Sequence, residues 1–445
     1  MTPLVLMLVT ATPVTLDEIR VAARRNLDAV RAELAVTRAA ADRKEARSVI
    51  FPQVDLSLGV SELLAGPQRR FATAPQLQPD GSLTFVQRPV DLPGFAQGTF
   101  QLGLTVNQLL YDGGRWWNQL ARTGALEEAA RGQLVEQQAA SELEATRRFY
   151  ELLRAQLVLS VLESAVERSG ELLERAKGLF EAGRAQRRDV LDAEVNLGND
   201  RIAVIRQRQA IAAAQASLLQ WVGQRPRDVE ARAPAGFEAD SSMPELQAEA
   251  LVARARRQRP LLQVLEAQAK GARLSVDIAR ADYLPRVTAN AGYSRSAPSA
   301  ELFVDPGRQH ALSLGAALSW DLFSGFATQA QVERAEAQRT ELERQQEQAL
   351  VELEAEIVRA TQALAAQLEI HRISQKGLEL AEASFSAESQ RYAAGASTSL
   401  SVRDAQVRAL SASLTRLQTR VDVEVAKAAL ERLVGGPLVD ASEAP

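Results

Sequence analysis

The sequence predicts a mainly α-helical chain with a smaller β part, built from two copies of one long-helix hairpin. Three observations carry this prediction. Residues 113–183 and 325–395, each bounded by glycines, run without an internal proline and are rich in Ala, Glu, Gln, Leu and Arg, which favour helix. Both stretches belong to a repeat with a constant offset of 212 residues: Gly183 matches Gly395, Asp189-Val190-Leu191-Asp192-Ala193 matches Ser401-Val402-Arg403-Asp404-Ala405, and Trp221-Val222-Gly223 matches Leu433-Val434-Gly435. Finally, four short segments alternate apolar and polar residues with a period of two, the mark of a strand with one dry face. A helix of about seventy residues is about 105 Å long. That exceeds the core of an ordinary globule and points to a coiled coil, a membrane span or a helical array.

In chain order, residues 15–50 read as a first helix, opened by a capping box of Thr15 and Glu18 and stopped at Phe51-Pro52, where proline ends the helical run. Val54, Leu56, Leu58 and Val60 then alternate with Asp55, Ser57, Gly59 and Ser61. A polar loop bearing Pro and Gly is expected over about 65–98. Phe100, Leu102, Leu104 and Val106 alternate with Gln101, Gly103, Thr105 and Asn107, and the first long helix follows Gly113-Gly114. After Gly183 a further helix, about 187–222, keeps Leu191, Val195, Ile202 and Ile205 at coiled-coil spacing.

The second half repeats the order: a helix over about 245–283, a stop at Leu284-Pro285, and strands carrying Val287, Ala289, Ala291 and Tyr293, then Leu312, Leu314, Ala316 and Leu318. The second long helix and a last helix, about 399–434 with Val407, Leu410, Leu414, Leu417 and Val421 at heptad spacing, complete it. The organisation is therefore 1–14, an apolar leader remnant or frayed terminus; 15–223, first repeat; 224–244, linker; 245–435, second repeat; and 436–445, a loose tail.

Composition narrows the function. The net charge of −4 offers no basic field for nucleic acid. No cysteine is present, which excludes disulfides, thiolate metal sites, a cysteine nucleophile and an N-terminal cysteine lipid anchor. The two histidines, His310 and His371, have no carboxylate–histidine spacing around them, and His371 is expected on the surface of a long helix. No phosphate loop or nucleophile motif occurs, so no catalytic, cofactor or metal site is expected. No run of eighteen apolar residues occurs either.

The strands are about eight to ten residues long, near the 9–11 that a tilted strand needs to cross a bilayer. Their polar face is Gly, Ser, Thr and Asn, and the aromatics Phe100, Tyr111, Tyr293, Trp320 and Phe323 are expected near strand ends, as in an interfacial girdle. A sheet in lipid has to close. Four strands cannot close, and eight is about the smallest common barrel. Three chains would give twelve strands, shared between chains. Leu56, Leu58, Leu102, Leu104, Leu314 and Leu318 are assigned to lipid; Ser57, Gly103, Thr105 and Ser313 are assigned to the lumen.

The ordered and duplicated set (helix, Leu-Pro stop, hairpin, Leu-aromatic-x-Gly, very long helix, glycine turn, Asp-Val-Leu-Asp-Ala) resembles the TolC-like outer-membrane efflux proteins. Thr15-Leu16-Asp17-Glu18 and Arg259-Pro260-Leu261 add to the likeness, which covers about 15–436. The resemblance implies a homotrimer, with a twelve-stranded barrel in the outer membrane and a trimeric α-helical barrel as a periplasmic tunnel. It implies the exit duct of a tripartite efflux or type I secretion system. An inner-membrane transporter and a periplasmic adaptor (membrane fusion protein) would be partners, the adaptor docking at the turns of Gly183, Arg184, Gly395 and Ala396.

The family's closed tip, carried over, makes Asp189, Tyr392 and Asp404 the gate candidates, with Asp404 as the ring at the constriction. Ser397 stands where the best-known member has arginine and Ser401 where it has an aspartate; Arg184, Arg187, Arg188 and Arg403 are the candidate substitutes. The alternative is a periplasmic coiled-coil adaptor or scaffold, which would not carry four membrane-length strands.

Overall fold

A computed structural model describes residues 12–237, 247–298, 310–394 and 396–438. It forms two compact units: 1–39 with 125–269 and 340–445, and 40–124 with 270–339. Each unit takes segments from both halves of the repeat, so the units are a different partition from the repeats.

The first unit is helical. The expected helix 15–50 is two helices, α1 (Leu16–Ala23) and α2 (Leu27–Ser48). The Thr15–Glu18 capping box forms, with the Thr15 amide donating to Glu18 at 3.0 Å and the Glu18 amide to the Thr15 hydroxyl at 3.4 Å. The break is set by buried Asn26, whose side-chain oxygen accepts the Ala29 amide at 2.9 Å and so starts a new helix. Before α1, strand β1 (Thr12–Val14) pairs in parallel with β6 (Val229–Ala231) from the expected linker. Three-residue strands carry no period to read. Gln156 fixes this strap, accepting the Ala231 amide at 3.0 Å.

The long helices are α3 (Arg115–Glu181), α4 (Arg187–Trp221), α7 (Ala327–Ala393) and α8 (Ser399–Val434). The expected helix 245–283 is again divided, into α5 (Ala248–Gln258) and α6 (Pro260–Arg280) with a short 3-10 turn after it. Pro260 is tolerated because it takes the first helical position, where its missing N–H costs nothing. One core gathers Phe149, Leu152, Leu218 and Leu219 around Ile19 and Val229. A second gathers Ile357, Leu364, Leu430 and Val434 around Leu251 and Ala255. His371 is not on the surface: it is 4% exposed, and its Nδ1 lies 3.0 Å from the Thr419 hydroxyl across α7 and α8. On α8, Leu417 and Val421 are buried as their heptad spacing requires, whereas Leu191, Val195, Ile202 and Ile205 of α4 stay exposed within the single chain.

The second unit holds the sheet. Strands β2 (Gln53–Ala65), β5 (Phe95–Tyr111), β7 (Arg286–Ala297) and β8 (His310–Ser319) are hydrogen-bonded in the order β2-β5-β7-β8, all antiparallel. Directly opposed residues share a face. One face therefore carries the rows Leu56–Leu104–Tyr293–Leu312 and Val54–Val106–Ala291–Leu314, with Leu58 opposite Leu102 and Val287 opposite Leu318. The other carries Ser57–Gly103–Ser294–Ala311 and Asp55–Thr105–Gly292–Ser313. The polar face is crowded: a Cβ at Gly103 would lie 2.7 Å from the Ser57 hydroxyl, and one at Gly292 would lie 2.9 Å from that of Ser313. Tyr111 and Trp320 stand at strand ends as expected, but Phe100 and Tyr293 lie inside their strands.

The region 65–98 is not a loop. It folds into β3 (Gln68–Leu77) and β4 (Leu83–Leu92), a separate antiparallel ribbon turned at Gly81. Pro75 and Pro89 hid it, since proline normally argues against a strand. In a two-stranded ribbon every strand is an edge, and proline is accommodated wherever its nitrogen faces outward. Here each proline sits opposite a phenylalanine, Phe71 with Pro89 and Pro75 with Phe85.

Candidate gate at the helix turns

Two tight turns reverse the long helices within the first unit. At the end of α3, Gly183 adopts φ +70°, and the amides of Arg184 and Ala185 both reach the Leu179 carbonyl, at 2.8 and 3.2 Å. This is a left-handed helix stop that a side chain would oppose. In the second turn the equivalent hydrogen bond forms, the Ala396 amide reaching the Arg391 carbonyl at 2.8 Å. Gly395 itself lies outside the described residues. Each following helix is capped by its own sequence. Asp189 accepts the Gln186 amide at 3.0 Å to start α4, and the Thr398 hydroxyl accepts the Ser401 amide at 3.2 Å to start α8.

The candidates Asp189 and Tyr392 come together here. The second oxygen of Asp189 accepts the Ser399 hydroxyl at 3.0 Å, joining the first turns of α4 and α8. Tyr392 is 8% exposed at the end of α7. Burial pushes its hydroxyl pKa up, and the Asp189 carboxylate adds to the rise. Both residues line a cavity of about 1050 Å³ that also reaches Leu179, Asn196, Leu400 and Arg403.

Asp404 is placed differently. It is exposed on α8 in the single chain, by a little over half, with an ion pair to Arg408 one turn on. The substitute arginines divide. Arg403 is committed to Asp200, and Arg188 lies 3.5 Å from Asp192. Ser397, at the arginine position, donates instead to Glu388 at 2.7 Å, and Arg391 donates to the same carboxylate at 2.8 Å. The Ser397 hydroxyl holds the Glu388 pKa below the usual carboxylate range, with Arg391 assisting. Ser399, Glu388 and Asp200 were not singled out from sequence. Only Ser399 carried a signal, a hydroxyl at a helix start.

The six leucines assigned to lipid all lie on the apolar face. Leu56, Leu58, Leu314 and Leu318 are two-thirds exposed or more in the single chain. Among the described residues no helix is long and apolar enough to cross a membrane, which says nothing of the sheet.

Comparison with known proteins then places the chain. The family described as outer membrane efflux protein matches residues 19–224 and 251–436. The outer membrane efflux protein BepC of Brucella suis is 23% identical over 351 residues, covering 77% of this chain and 73% of BepC. Protein CyaE of Bordetella pertussis is 29% identical over 195 residues, a match spanning 41% of CyaE. Among solved structures, the outer-membrane channel OprN aligns with TM-score 0.74 at 23% identity, covering 95% of this chain and 90% of OprN. The outer membrane protein VceC from Vibrio cholerae aligns with TM-score 0.72 at 18% identity over 95% of this chain and 97% of VceC. At these identities the structures establish the fold. The family match decides between the two functional readings, for an outer-membrane channel and against a periplasmic adaptor. The chain belongs to the outer membrane efflux protein family.

Proposed function

We propose that three copies of this chain assemble into an exit duct, each giving four strands to a twelve-stranded barrel and two hairpins of long helices to a tunnel. One observation carries the trimer: the sheet β2-β5-β7-β8 has two open edges, β2 and β8, and a mainly apolar face, interrupted by Gln108 and by Arg295 and His310 at the end of the Leu58–Leu102 row. Unpaired backbone groups along a strand edge are intolerable in hydrocarbon, so each edge needs a partner strand from another copy. The exposed heptad residues of α4 ask for the same neighbours, since apolar a and d positions are stable only against a facing helix.

The duct receives substrate from an inner-membrane transporter through a periplasmic adaptor, which docks on the turns around Gly183, Arg184 and Ala396. Asp189 and Tyr392 hold the resting turns together, and the Asp404 carboxylates face the axis as an acidic ring. Mass measurement of the purified protein in detergent tests the assembly: the expected species is three chains, and a stable folded monomer refutes it.

A further inference from the structure

We infer that the barrel joint between copies is keyed by charge: Glu62 at the β2 edge of one chain receives His310 and Arg295 at the β8 edge of the next. This rests on the trimeric barrel proposed above.

Each edge of the sheet ends its apolar run with a polar side chain. On β2, Val54, Leu56, Leu58 and Val60 share a face with Glu62, which stands opposite Gly98 of β5. On β8, Leu318, Leu314 and Leu312 share that face with His310, which stands opposite Arg295 of β7. Glu62 and His310 are both exposed in the single chain. The feet of the strands are tied together: Gln108 donates to the Ile50 carbonyl at 2.7 Å, Arg115 to Asp282 at 2.7 Å and Trp320 to the Tyr283 carbonyl at 3.1 Å. Counted from those feet, at Pro52, Pro285 and Trp320, the residues Glu62, Arg295 and His310 are each ten positions up. Ten residues rise about 33 Å along a strand. At a tilt of about 40° that spans about 25 Å of membrane, the height of the apolar band. All three side chains therefore belong to the rim farthest from the helices.

Closure decides which residues meet. The row Leu58–Leu102–Arg295–His310 begins six residues above Pro52 and ends ten above Trp320, so a row climbs by four residues across the chain. Four strands about 4.8 Å apart, tilted by about 35–45°, give a climb of about four to six residues per chain. The apolar face continues across the joint only for even shifts. His310 thus meets Glu62 or Leu64 of the next copy. The Leu64 register sets His310 against leucine and the carboxylate against Leu312. The Glu62 register opposes a carboxylate to an imidazole N–H, which donates in either protonation state. Arg295 stands in the same row one strand behind and supplies the cation.

The key also sets direction. The two hairpins of the repeat carry opposite signs at one height, Glu62 in the first and Arg295 in the second. Like charges set across a strand pair repel, so a first hairpin closes on a second hairpin and not on its own kind.

The absence of cysteine makes the test direct. Glu62→Cys with His310→Cys, oxidised in the purified assembly, is expected to give a ladder ending at three linked chains on a denaturing gel, whereas Leu64→Cys with His310→Cys is not. A ladder from the Leu64 pair, or from neither pair, overturns the register.

Charge exchange tests the key itself. Glu62→Arg and Arg295→Glu are each expected to lower trimer yield several-fold, and the two together to restore it. A double exchange no better than the single variants overturns the inference and assigns Arg295 to another anion, such as lipid phosphate. A parent protein that is a folded monomer by mass refutes the trimeric barrel, a result distinct from these.

Discussion

The face assignment of the sheet is tested most sharply by two neighbouring substitutions, Leu104→Arg and Thr105→Arg. Both fall in β5, an inner strand of the four, so neither disturbs an edge. Leu104 stands in the row Leu56–Leu104–Tyr293–Leu312, and Thr105 in the row Asp55–Thr105–Gly292–Ser313. An arginine on the lipid face near the midplane costs about 2–4 kcal/mol. Three copies raise this to roughly 6–12 kcal/mol per trimer on the same scale, comparable with the whole stability of a typical domain at about 5–15 kcal/mol. An arginine at 105 instead meets the Asp55 carboxylate across the strand pair, and water. The assay is trimer yield from outer membranes, by mass in detergent, with denaturant midpoints for what assembles. Leu104→Arg should assemble poorly, while Thr105→Arg should assemble and change conductance. Equal assembly of the two would refute the assignment and the register argument behind it.

Further outcomes follow from other parts of the chain. Glu136 is buried against Arg432 at 2.8 Å and Arg259 at 3.7 Å, so Glu136→Gln, which takes the carboxylate from Arg432 and leaves Arg259 only Glu356 at 3.9 Å, should destabilise the chain by up to about 3–5 kcal/mol in a denaturant titration. Asp404→Ala should lower cation selectivity and relieve block by multivalent cations, the behaviour of an acidic ring in a pore; unchanged single-channel selectivity would make Asp404 a solvated residue paired only with Arg408. Because the Glu388 pKa is lowered, its hold on Ser397 is present above the unfolded value of 4.5 and lost as pH falls through the native one. Protection against hydrogen exchange at 396–398, taken relative to the intrinsic rate at each pH, should therefore fall in acid. Tyr392 is shifted the other way: its contribution is full below pH 10.0 and lost as pH rises through the higher native value, to be read by tyrosinate absorbance beside tip proteolysis. Phe326 sits at φ +65°, a backbone state costing a non-glycine residue about 1–2 kcal/mol, so Phe326→Gly should raise the melting temperature; a lower one would mean that the ring contributes more than the backbone strain costs.

The parts of the fold that could be read from the sequence are those in which one period runs long enough to repeat. The long helices α3 and α7, the four sheet strands and the turn at Gly183 all declare themselves by periodicity or by a glycine at a fixed offset. The breaks inside the expected helices 15–50 and 245–283 were less visible, because each rests on one residue. Asn26 is neutral in composition until its side chain is seen to accept the Ala29 amide. Pro260 both ends α5 and begins α6. The ribbon β3–β4 was concealed by prolines that an edge strand tolerates. His371 looked superficial because a lone polar residue in a charged helix usually is; its burial depends on Thr419, 48 residues away, which no local pattern reports.

The two turns that carry the gate candidates were legible in outline and illegible in their wiring, for a related reason. Asp189 and Tyr392 follow from their offsets to the two glycines, and local chain geometry brings them to one cavity. Which arginine pairs with which carboxylate depends on the packing of α3, α4 and α8, so Arg403 looked available although Asp200 holds it. The repeat converts that difficulty into information. Two copies derived from one hairpin would make six similar joints around a ring if nothing distinguished them. Where the copies differ in charge, as at Arg403 against Leu191, or in how one backbone demand is met, as at Phe326 with φ +65° against Gly114 with φ +85°, the halves are no longer equivalent.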